Sequence, residues 1–292
     1  MLLQLSTAQD KAIRFRVANI VAGVMNSLAE DAELTDELYD EVMEIMSARL
    51  KDRVPAVRAQ AVRALARLQE ADENGDYSSD EITKQYQVLL DTDKNKDVRK
   101  AVLASMAVCD GTVHSIVDRT CDTSDDVRRV AYQVLSTKVR MSNLSIALRG
   151  TVLRRGLGDR SPPVKAACLE MLRKVWLEDE SDGLVTEFLS SLDVETNPAV
   201  AEECIKELVD CGHLRLTDII DSTSKLGGLR HAAKESSSDS PAFLSSEKAL
   251  YWRVICQKLS SEAATRSDTA ANAGGGSAVE SVAAAAAGER LD

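Results

Sequence analysis

The chain has 292 residues, and 36 Lys and Arg stand against 47 Asp and Glu, so the formal net charge is −11. Aromatic residues make up only 3% of the chain. This is low for one compact core and ordinary for a helical stack, in which neighbouring units bury one another's Leu, Val and Ala. No run approaches the roughly 18 apolar residues of a membrane-spanning helix, and the first residues lack the features of a secretory signal. We therefore expect a soluble protein that is not secreted.

One pattern occurs six times. An acidic residue is followed five positions later by an apolar anchor residue, and in five copies Arg or Lys follows the anchor. The copies are Asp10/Phe15-Arg16, Asp52/Val57-Arg58, Asp93/Val98-Arg99, Asp122/Val127-Arg128, Asp159/Val164-Lys165 and the degenerate Glu195/Val200-Ala201. The anchors lie 42, 41, 29, 37 and 36 residues apart, a period typical of HEAT and armadillo repeats. The sequence therefore predicts an all-α HEAT-repeat solenoid of stacked antiparallel helical hairpins.

Each copy reads as the start of the second helix of a hairpin. Favoured N-cap residues stand three positions before four of the anchors, namely Asn95, Ser124, Ser161 and Asn197. Proline, which suits the first turn of a helix, occupies the next position in three copies, as Pro55, Pro162 and Pro198. The first helices are less regular and are expected at about 35–50, 81–90, 112–119, 142–157 and 182–192.

The character of the chain changes after residue 235. We predict a HEAT-repeat solenoid over 1–235, a Ser-rich linker over 236–246, an amphipathic helix over 247–262 and an Ala/Gly-rich tail over 263–292. The tail lacks large apolar residues whose burial could offset the entropy of ordering, so we expect it to be disordered. Within the linker, Ser240 precedes Pro241. Ser-Pro is the minimal site of proline-directed kinases, so Ser240 is a phosphorylation candidate.

Sequence motifs of catalysis are absent. The six cysteines form no CxxC pair. Cys168 and Cys204 share one core-facing column, which predicts reduced, packed thiols in a reducing compartment. The chain has no phosphate-binding P-loop, nucleophile elbow or HExxH motif, and none of its three histidines is followed by Glu, as the metal-dependent hydroxylases built on HEAT-type repeats require. We therefore predict no enzymatic activity, no metal, no cofactor and no small-molecule substrate.

Charge is unevenly distributed. Residues 94–174 hold 16 basic and 8 acidic side chains, a net charge of +8, between flanks of −8 and −11. Part of this basic block is expected to be structural, because the repeated pattern places a basic residue six positions after each acidic one, as in an Asp–Arg ladder between repeats. The ladder candidates are Asp52, Arg58, Asp93, Arg99, Asp122, Arg128, Asp159 and Lys165. The remaining candidates, for an acidic partner or the DNA backbone, are Lys100, Arg129, Arg154, Arg155, Arg140 and Arg149.

Several segments carry a family resemblance. They are DKAIRFRVANIVAGVMNSL (10–28), DRVPAVRAQAVRALARLQ (52–69), DVRKAVLASMAV (97–108), DDVRRVAYQVLSTKV (125–139), ALRGTVLRRGLGDRSPPVK (147–165) and ALYWRVICQKL (249–259). Together they resemble the HEAT-repeat region of the condensin subunit 3 family, the kleisin-bound HEAT-repeat component of condensin I, over most of residues 8–260.

This resemblance implies a mitotic chromosome-condensation function. It implies a subunit that binds the condensin kleisin, and through it the SMC ATPase pair, in its concave groove, and that holds the backbone of double-stranded DNA, with the ATPase in other subunits. The implied location is the nucleus and condensed chromosomes, with a cytoplasmic pool.

Two expectations qualify the resemblance. Members of this family are much longer, whereas this chain begins at the second helix of a repeat and leaves the apolar face of Phe15, Ile20, Val21 and Val24 without a partner helix. We therefore expect a fragment or a shortened form. The repeat period also fits a HEAT scaffold or nuclear-transport carrier that binds protein cargo, and this alternative stays open at the level of the sequence.

Overall fold

A computed structural model of the chain describes residues 2–29, 34–214 and 245–265, and no strand occurs among them. The helices are α1 (Lys11–Ser27), α2 (Asp36–Arg49), α3 (Pro55–Leu65), α4 (Glu81–Thr92), α5 (Lys96–Ser105), α6 (Asp110–Asp118), α7 (Asp125–Lys138), α8 (Ile146–Leu157), α9 (Pro162–Glu170), α10 (Val185–Leu192), α11 (Pro198–Asp210) and α12 (246–265). A π-helix, Met171–Asp179, continues α9. The predicted fold class, an all-α HEAT-repeat stack, is confirmed.

The helices group into two compact units, Met1–Leu184 and Val185–Asp292. In the first unit α1, α3, α5, α7 and α9 pack on one another in that order. Each of α2, α4, α6 and α8 packs against the helix that follows it in the chain. The first unit is therefore a stack of hairpins whose second helices form a continuous layer, the second-helix layer.

The repeated pattern explains the second helices. The anchors Val57, Val98, Val127 and Val164 are completely buried, and α3, α9 and α11 begin at Pro55, Pro162 and Pro198 as predicted. Asn95 caps α5 through its side chain, which accepts hydrogen bonds from the Asp97 and Val98 amides. Ser124 and Ser161 hold the same position without a side-chain cap bond.

The predicted register of the first copy is wrong by two residues. The N-cap of α1 is Asp10, whose carboxylate accepts a hydrogen bond from the Ala12 amide at 2.8 Å. By position, three residues after the N-cap, the anchor is therefore Ile13, which is 38% exposed, unlike the buried anchors of the later copies, and the basic position belongs to Arg14. The sequence predicts these roles for Phe15 and Arg16 because they lie at the same distance from Asp10 as the anchors lie from the ladder aspartates.

The apolar face expected on α1 is only partly exposed. Val21 is buried and Phe15 is half-buried, because the Leu3–Thr7 turn and α3 pack against α1, while Ile20 and Val24 stay exposed.

The second unit contains α10, α11 and α12. Phe188, Cys204 and Ile255 are fully buried in it. Two ion pairs join α12 to α11, Arg253–Glu202 at 2.9 Å and Lys258–Asp210 at 2.6 Å. Most of the predicted linker, including Ser240, and nearly all of the predicted tail lie outside the described residues.

The cysteines follow the packing prediction only in part. Cys168 and Cys204 are buried thiols, whereas Cys121, Cys211 and Cys256 are exposed. None of the described helices is both long enough and apolar enough to cross a membrane.

Candidate nucleic-acid interface

Neighbouring repeats of the first unit are joined by a column of Arg–Asp ion pairs, the ladder. Arg58 Nε lies 2.7 Å from Asp93 Oδ2, and Arg58 Nη2 lies 2.8 Å from Asp93 Oδ1. The same two-point contact joins Arg14 to Asp52, Arg99 to Asp122 and Arg128 to Asp159. Each arginine thus reaches forward to the aspartate of the next repeat, in the bidentate geometry that suits guanidinium and carboxylate groups.

Every ladder aspartate also begins its own second helix. Its Oδ1 accepts a hydrogen bond from the backbone amide two residues later, as in the 2.8 Å contact from the Ser124 amide to Asp122. The remaining guanidinium nitrogen of each arginine binds backwards within its own repeat, so that Arg99 Nη1 donates to the Asp93 carbonyl at 2.8 Å. The aspartate column therefore sets both where a second helix starts and how it docks on its neighbour.

The ladder is buried and charged. Burial raises the pKa of Asp122, but hydrogen bonds from Arg99 and from the Ser124 amide outweigh it and leave the pKa below its ordinary value. The same opposing causes leave the pKa values of Asp52 and Asp159 lowered. The ladder arginines therefore bind carboxylates within the protein and are not available to a ligand. Lys165 holds the corresponding position of α9 and is half-buried.

The six other basic candidates do not share one surface. Lys100 and Arg129 each follow a ladder arginine in the first half of α5 or α7, and Arg154 and Arg155 lie in the last turn of α8. These four therefore lie near the loops that connect the first and second helices of each hairpin, which we term the loop edge. Arg140 lies in the connection before α8 and Arg149 lies in its first turns, at the opposite edge. The structure thus divides the predicted stripe in two.

Three of the six basic candidates form hydrogen bonds or an ion pair within the protein. Arg155 Nη1 donates to the Val117 carbonyl and to Thr120 Oγ1, both at 3.1 Å. Arg149 Nε donates to the Met141 carbonyl at 2.9 Å. Lys100 Nζ lies 2.8 Å from Asp97. Arg155, which we expected to be available for a ligand, therefore joins two repeats instead.

Acidic side chains also surround the candidates of α5 and α7. Lys96 lies 2.7 Å from Asp126, a contact that lowers the pKa of Asp126, and the charges of Lys100 and Arg129 contribute in the same direction. The side chains of Lys96 and Asp126 are 51% and 37% exposed, so salt screens this pair. The cations on α5 and α7 consequently present little unbalanced charge.

Lys94, Arg154 and Arg160 lie exposed at the loop edge, and we name them the loop-edge cations. The charge of Arg160 also contributes to the lowered pKa of the neighbouring Asp159. Among the described residues no ion pair or side-chain hydrogen bond involves them. Lys94 and Arg160 each stand one position after a ladder aspartate, and so does the exposed Arg53. Arg160 and Arg53 are not among the candidates predicted from the sequence, although both follow a ladder aspartate by one position.

The loop edge is open near Arg160. A groove of about 460 Å³ lies between the α6–α7 and α8–α9 loops, with Thr123, Arg155 and Arg160 among its lining residues. The part of the chain that the structure describes contains no cluster of His, Cys, Asp and Glu suited to a metal ion. The lining also contains the ladder residues Asp122, Arg128 and Asp159. The exposed cation of this groove is Arg160, whose guanidinium suits phosphate oxygens.

Comparison with known proteins identifies relatives over most of the chain. The chain is 37% identical over 261 residues to condensin complex subunit 3 of Xenopus laevis, and 37% identical over 263 residues to that of Homo sapiens. Both matches cover 89% of this chain and 24% of the relative. The Schizosaccharomyces pombe protein of the same name is 35% identical over 70% of the chain. The chain spans about a quarter of the length of these relatives. No family model matches it.

A solved structure shows the same architecture. The crystal structure of the S. pombe condensin Cnd3-Cnd2 subcomplex contains a chain that aligns with a TM-score of 0.72 and 30% identity. The alignment covers 91% of this chain and 32% of that chain.

Proposed function

The chain belongs, over the segment that it matches, to the condensin subunit 3 family, and on that premise we propose that it is a non-catalytic HEAT-repeat subunit of condensin. In this proposal it binds the kleisin subunit, and through it the SMC ATPase pair, and it contacts the backbone of double-stranded DNA in support of mitotic chromosome condensation. Its place is the nucleus and condensed chromosomes, with a cytoplasmic pool. The observation that carries the proposal is the 37% identity to condensin subunit 3 over 89% of the chain.

Kleisin binding is supported by the likeness to a chain crystallised in a condensin subcomplex with a second subunit. The second-helix layer offers a continuous exposed column, five positions after each ladder arginine or its equivalent, formed by Asn19, Arg63, Ala104, Gln133 and Glu170. Arg63 and Gln133 each lie between two buried residues of their helix. A kleisin segment crossing the layer would contact this column without disturbing the core.

The kleisin proposal is tested by co-purification of the full chain with a fragment of the condensin kleisin. We expect a stable complex. We expect Ala104→Glu with Gln133→Glu to weaken it, because the bound segment would bury the two new carboxylates. Val88→Glu on α4 is the matched control, since Val88 is 60% exposed and lies outside the second-helix layer. Failure of the unaltered chain to bind any part of the kleisin would refute this proposal.

DNA binding is supported by the charge of the loop-edge cations. Phosphate contacts by Lys and Arg release condensed counterions, so the logarithm of the binding constant falls with the logarithm of the salt concentration by about 0.9 per phosphate neutralised. Arg154 and Arg160 lie in one hairpin, at the end of α8 and in the loop that leads to α9, and both side chains are exposed. They are the strongest pair of candidates for phosphate contacts.

The DNA proposal is tested by replacing Arg154 and Arg160 together with Gln. Binding to a random-sequence duplex, measured by fluorescence anisotropy across a salt series, should weaken, and the slope should become shallower by about 1.8. The control is Arg63→Gln with Arg140→Gln, which removes the same charge from exposed residues away from the loop edge. If both double variants change the slope equally, the loop edge is not the DNA surface.

A further inference from the structure

The position directly after each ladder aspartate recurs along the loop edge. In three copies it holds a cation, namely Arg53, Lys94 and Arg160, and in the α6–α7 loop it holds Thr123. All four residues are exposed. Because α3, α5, α7 and α9 stack in that order, Thr123 lies between Lys94 and Arg160 in the series. Of these four residues only Thr123 is uncharged, and it carries a hydroxyl that can be modified.

The ladder rung of α7 brings Thr123 and Arg160 to one groove. Arg128 donates to the carbonyl of Asp122 at 2.9 Å and to the carboxylate of Asp159 at 2.6 Å. Thr123 and Arg160 follow these two aspartates, and both line the groove of about 460 Å³ between the α6–α7 and α8–α9 loops. A negative group attached to Thr123 therefore shares a groove with an exposed guanidinium.

The hydroxyl of Thr123 is accessible. Its Oγ1 lies 3.5 Å from Asp122 Oδ1, which is longer than an ordinary O–H···O hydrogen bond. Thr120 of the same loop differs, since it is 1% exposed and its Oγ1 donates to the Val117 carbonyl at 2.7 Å. Ser124 is half-buried at the N-cap of α7. Thr123 is thus the hydroxyl of this loop that a protein kinase reaches most easily.

The residues after Thr123 suit an acidophilic protein kinase. Kinases of this class select carboxylates on the C-terminal side of the acceptor hydroxyl, above all at the third position. Asp125 and Asp126 follow Thr123 at the second and third positions. Asp125 is exposed, and the side chain of Asp126 is 37% exposed although it pairs with Lys96. Both carboxylates are therefore within reach of a kinase that binds the α6–α7 loop.

We propose that Thr123 is a phosphorylation site of an acidophilic Ser/Thr kinase, and that Arg160 binds the resulting phosphate and is thereby withdrawn from DNA. In the reaction Thr123 Oγ1 attacks the γ-phosphorus of ATP. An O–P bond forms, the bond from that phosphorus to the β–γ bridging oxygen breaks, ADP leaves, and the hydroxyl proton passes to the base of the kinase. The proposal rests on the DNA function proposed above and adds its regulation.

The change of charge is large for this surface. Phosphothreonine carries a charge of about −1.5 to −2 at pH 7, and it would stand beside the loop-edge cations. Guanidinium and phosphate groups form bidentate, charge-assisted hydrogen bonds. Arg128 and Arg155, which also line the groove, already donate to Asp159 and to Thr120. The exposed Arg160 is therefore the partner for the phosphate, which offsets the repulsion from nearby acidic side chains such as Asp125.

The first test treats the full chain with ATP and casein kinase 2, an acidophilic kinase, and maps the product by mass spectrometry. We expect Thr123 to be modified, and we expect Asp126→Asn to slow the modification by about tenfold, the effect of losing one charged contact. Thr123→Ala is treated in parallel and serves as the control for modification elsewhere. Thermal melts of the treated and untreated chains show whether the fold is retained.

The second test measures binding to a random-sequence duplex by fluorescence anisotropy across a salt series. The modified chain should bind about tenfold more weakly, with a slope shallower by about 0.9, because one phosphate contact is lost. Kinase-treated Thr123→Ala should bind as the untreated chain does. In Arg160→Gln the modification should make the slope no shallower, because the contact is already absent.

A third readout does not depend on DNA. Phosphorus-31 NMR follows the second ionisation of phosphothreonine, whose pKa is ordinarily about 6. Contact with Arg160 favours the dianion and lowers this pKa, so Arg160→Gln should raise it by about 1. Arg53→Gln, which removes a cation from the same column two repeats away, is the matched control and should leave the phosphate pKa unchanged.

The outcomes separate this proposal from the DNA function. It is overturned if the kinase leaves Thr123 unmodified, if the modified chain binds DNA with unchanged affinity and slope, or if Arg160→Gln leaves the phosphate pKa unchanged. If the unmodified chain binds no DNA, the DNA function is refuted and the regulatory part of this proposal falls with it. The mapping and the NMR titration then still decide whether Thr123 is modified and bound by Arg160.

Discussion

The ladder allows a test of how burial changes the stability contributed by an ion pair when the N–O distance is the same. Arg99 and Asp122 form a rung whose closest N–O distance is 2.7 Å and whose side chains are 9% and 3% exposed. Lys96 and Asp126 bridge the same two repeats at the same 2.7 Å, but their side chains are 51% and 37% exposed. If burial determines what an ion pair contributes, removing one carboxylate charge from each should give very different losses of stability.

The perturbation is Asp122→Asn. Asparagine keeps an oxygen to accept the hydrogen bond from the Ser124 amide, so the start of α7 is preserved. It removes the charge that faces Arg99 and leaves a buried guanidinium without its carboxylate. Breaking a buried pair in this way costs about 3–5 kcal/mol. We expect a loss of about 3 kcal/mol, at the lower end of that range, because Arg99 Nη1 keeps its 2.8 Å contact with the Asp93 carbonyl.

The assay is urea unfolding followed by far-ultraviolet circular dichroism, with Asp126→Asn as the matched control. The control should change the free energy of unfolding little, because exposed pairs contribute little. Arg99→Met combined with Asp122→Asn should lose less stability than the sum of the single variants, since no unpaired charge is then buried. Since repeat proteins can unfold in parts, the comparison holds only where the urea dependence is unchanged. Equal losses for Asp122→Asn and Asp126→Asn would refute the reasoning.

Three further predictions concern pH, packing and modification. The lowered pKa of Asp122 means that its ladder contribution is present above the ordinary carboxyl value of about 3.9 and is lost as the pH falls through the folded-state value, so Asp122→Asn should lose less stability than the unaltered chain in acid titrations followed by circular dichroism. Gly156→Ala should cost about 1–3 kcal/mol, because its Cβ would overlap Cys168 and come within 2.7 Å of Tyr132. Gly23→Ala, with no atom within 4 Å of the new Cβ, should instead stabilise α1 by about 0.5–1 kcal/mol in thermal melts. Phosphopeptide mapping from dividing cells should find Ser240 modified, and its absence there would contradict the assignment of Ser240 as a kinase site.

Much of the fold could be predicted because two chemical columns repeat in the sequence. An aspartate that starts a helix and an arginine that reaches the next aspartate must recur once per repeat, so their spacing reveals the hairpins without any knowledge of the core. The predicted first helices at about 35–50 and 81–90 correspond to α2 (Asp36–Arg49) and α4 (Glu81–Thr92). The amphipathic pattern alone would not have separated these helices from others of ordinary composition.

The first copy shows where the pattern misleads. Asp10 has the residue type of the ladder column but acts as an N-cap, a role that Asn95 holds in α5. Counting from the wrong aspartate moved the basic position from Arg14 to Arg16. An acidic side chain can satisfy helix amides from either place, and the sequence does not reveal which place it occupies. Only the partner across the repeat boundary, Asp52, distinguishes Arg14 as the ladder residue.

The candidate interface was harder to predict for a related reason. The net charge of +8 over residues 94–174 is larger than the positive charge accessible to a ligand. A guanidinium already bound to a carboxylate or carbonyl is not free to neutralise a phosphate. Whether an arginine is bound in this way depends on a group about 30 residues away, as Arg128 depends on Asp159 and Arg155 on Thr120. Arg154, adjacent to Arg155 in the chain, points to no such partner in the described structure and stays exposed. Two neighbouring arginines of identical chemistry therefore differ in their contacts and exposure because of the stack around them. A binding assay that compares Arg154→Gln with Arg155→Gln tests whether they also differ in function: we expect the first to lower DNA affinity without loss of stability, and the second to lower stability first.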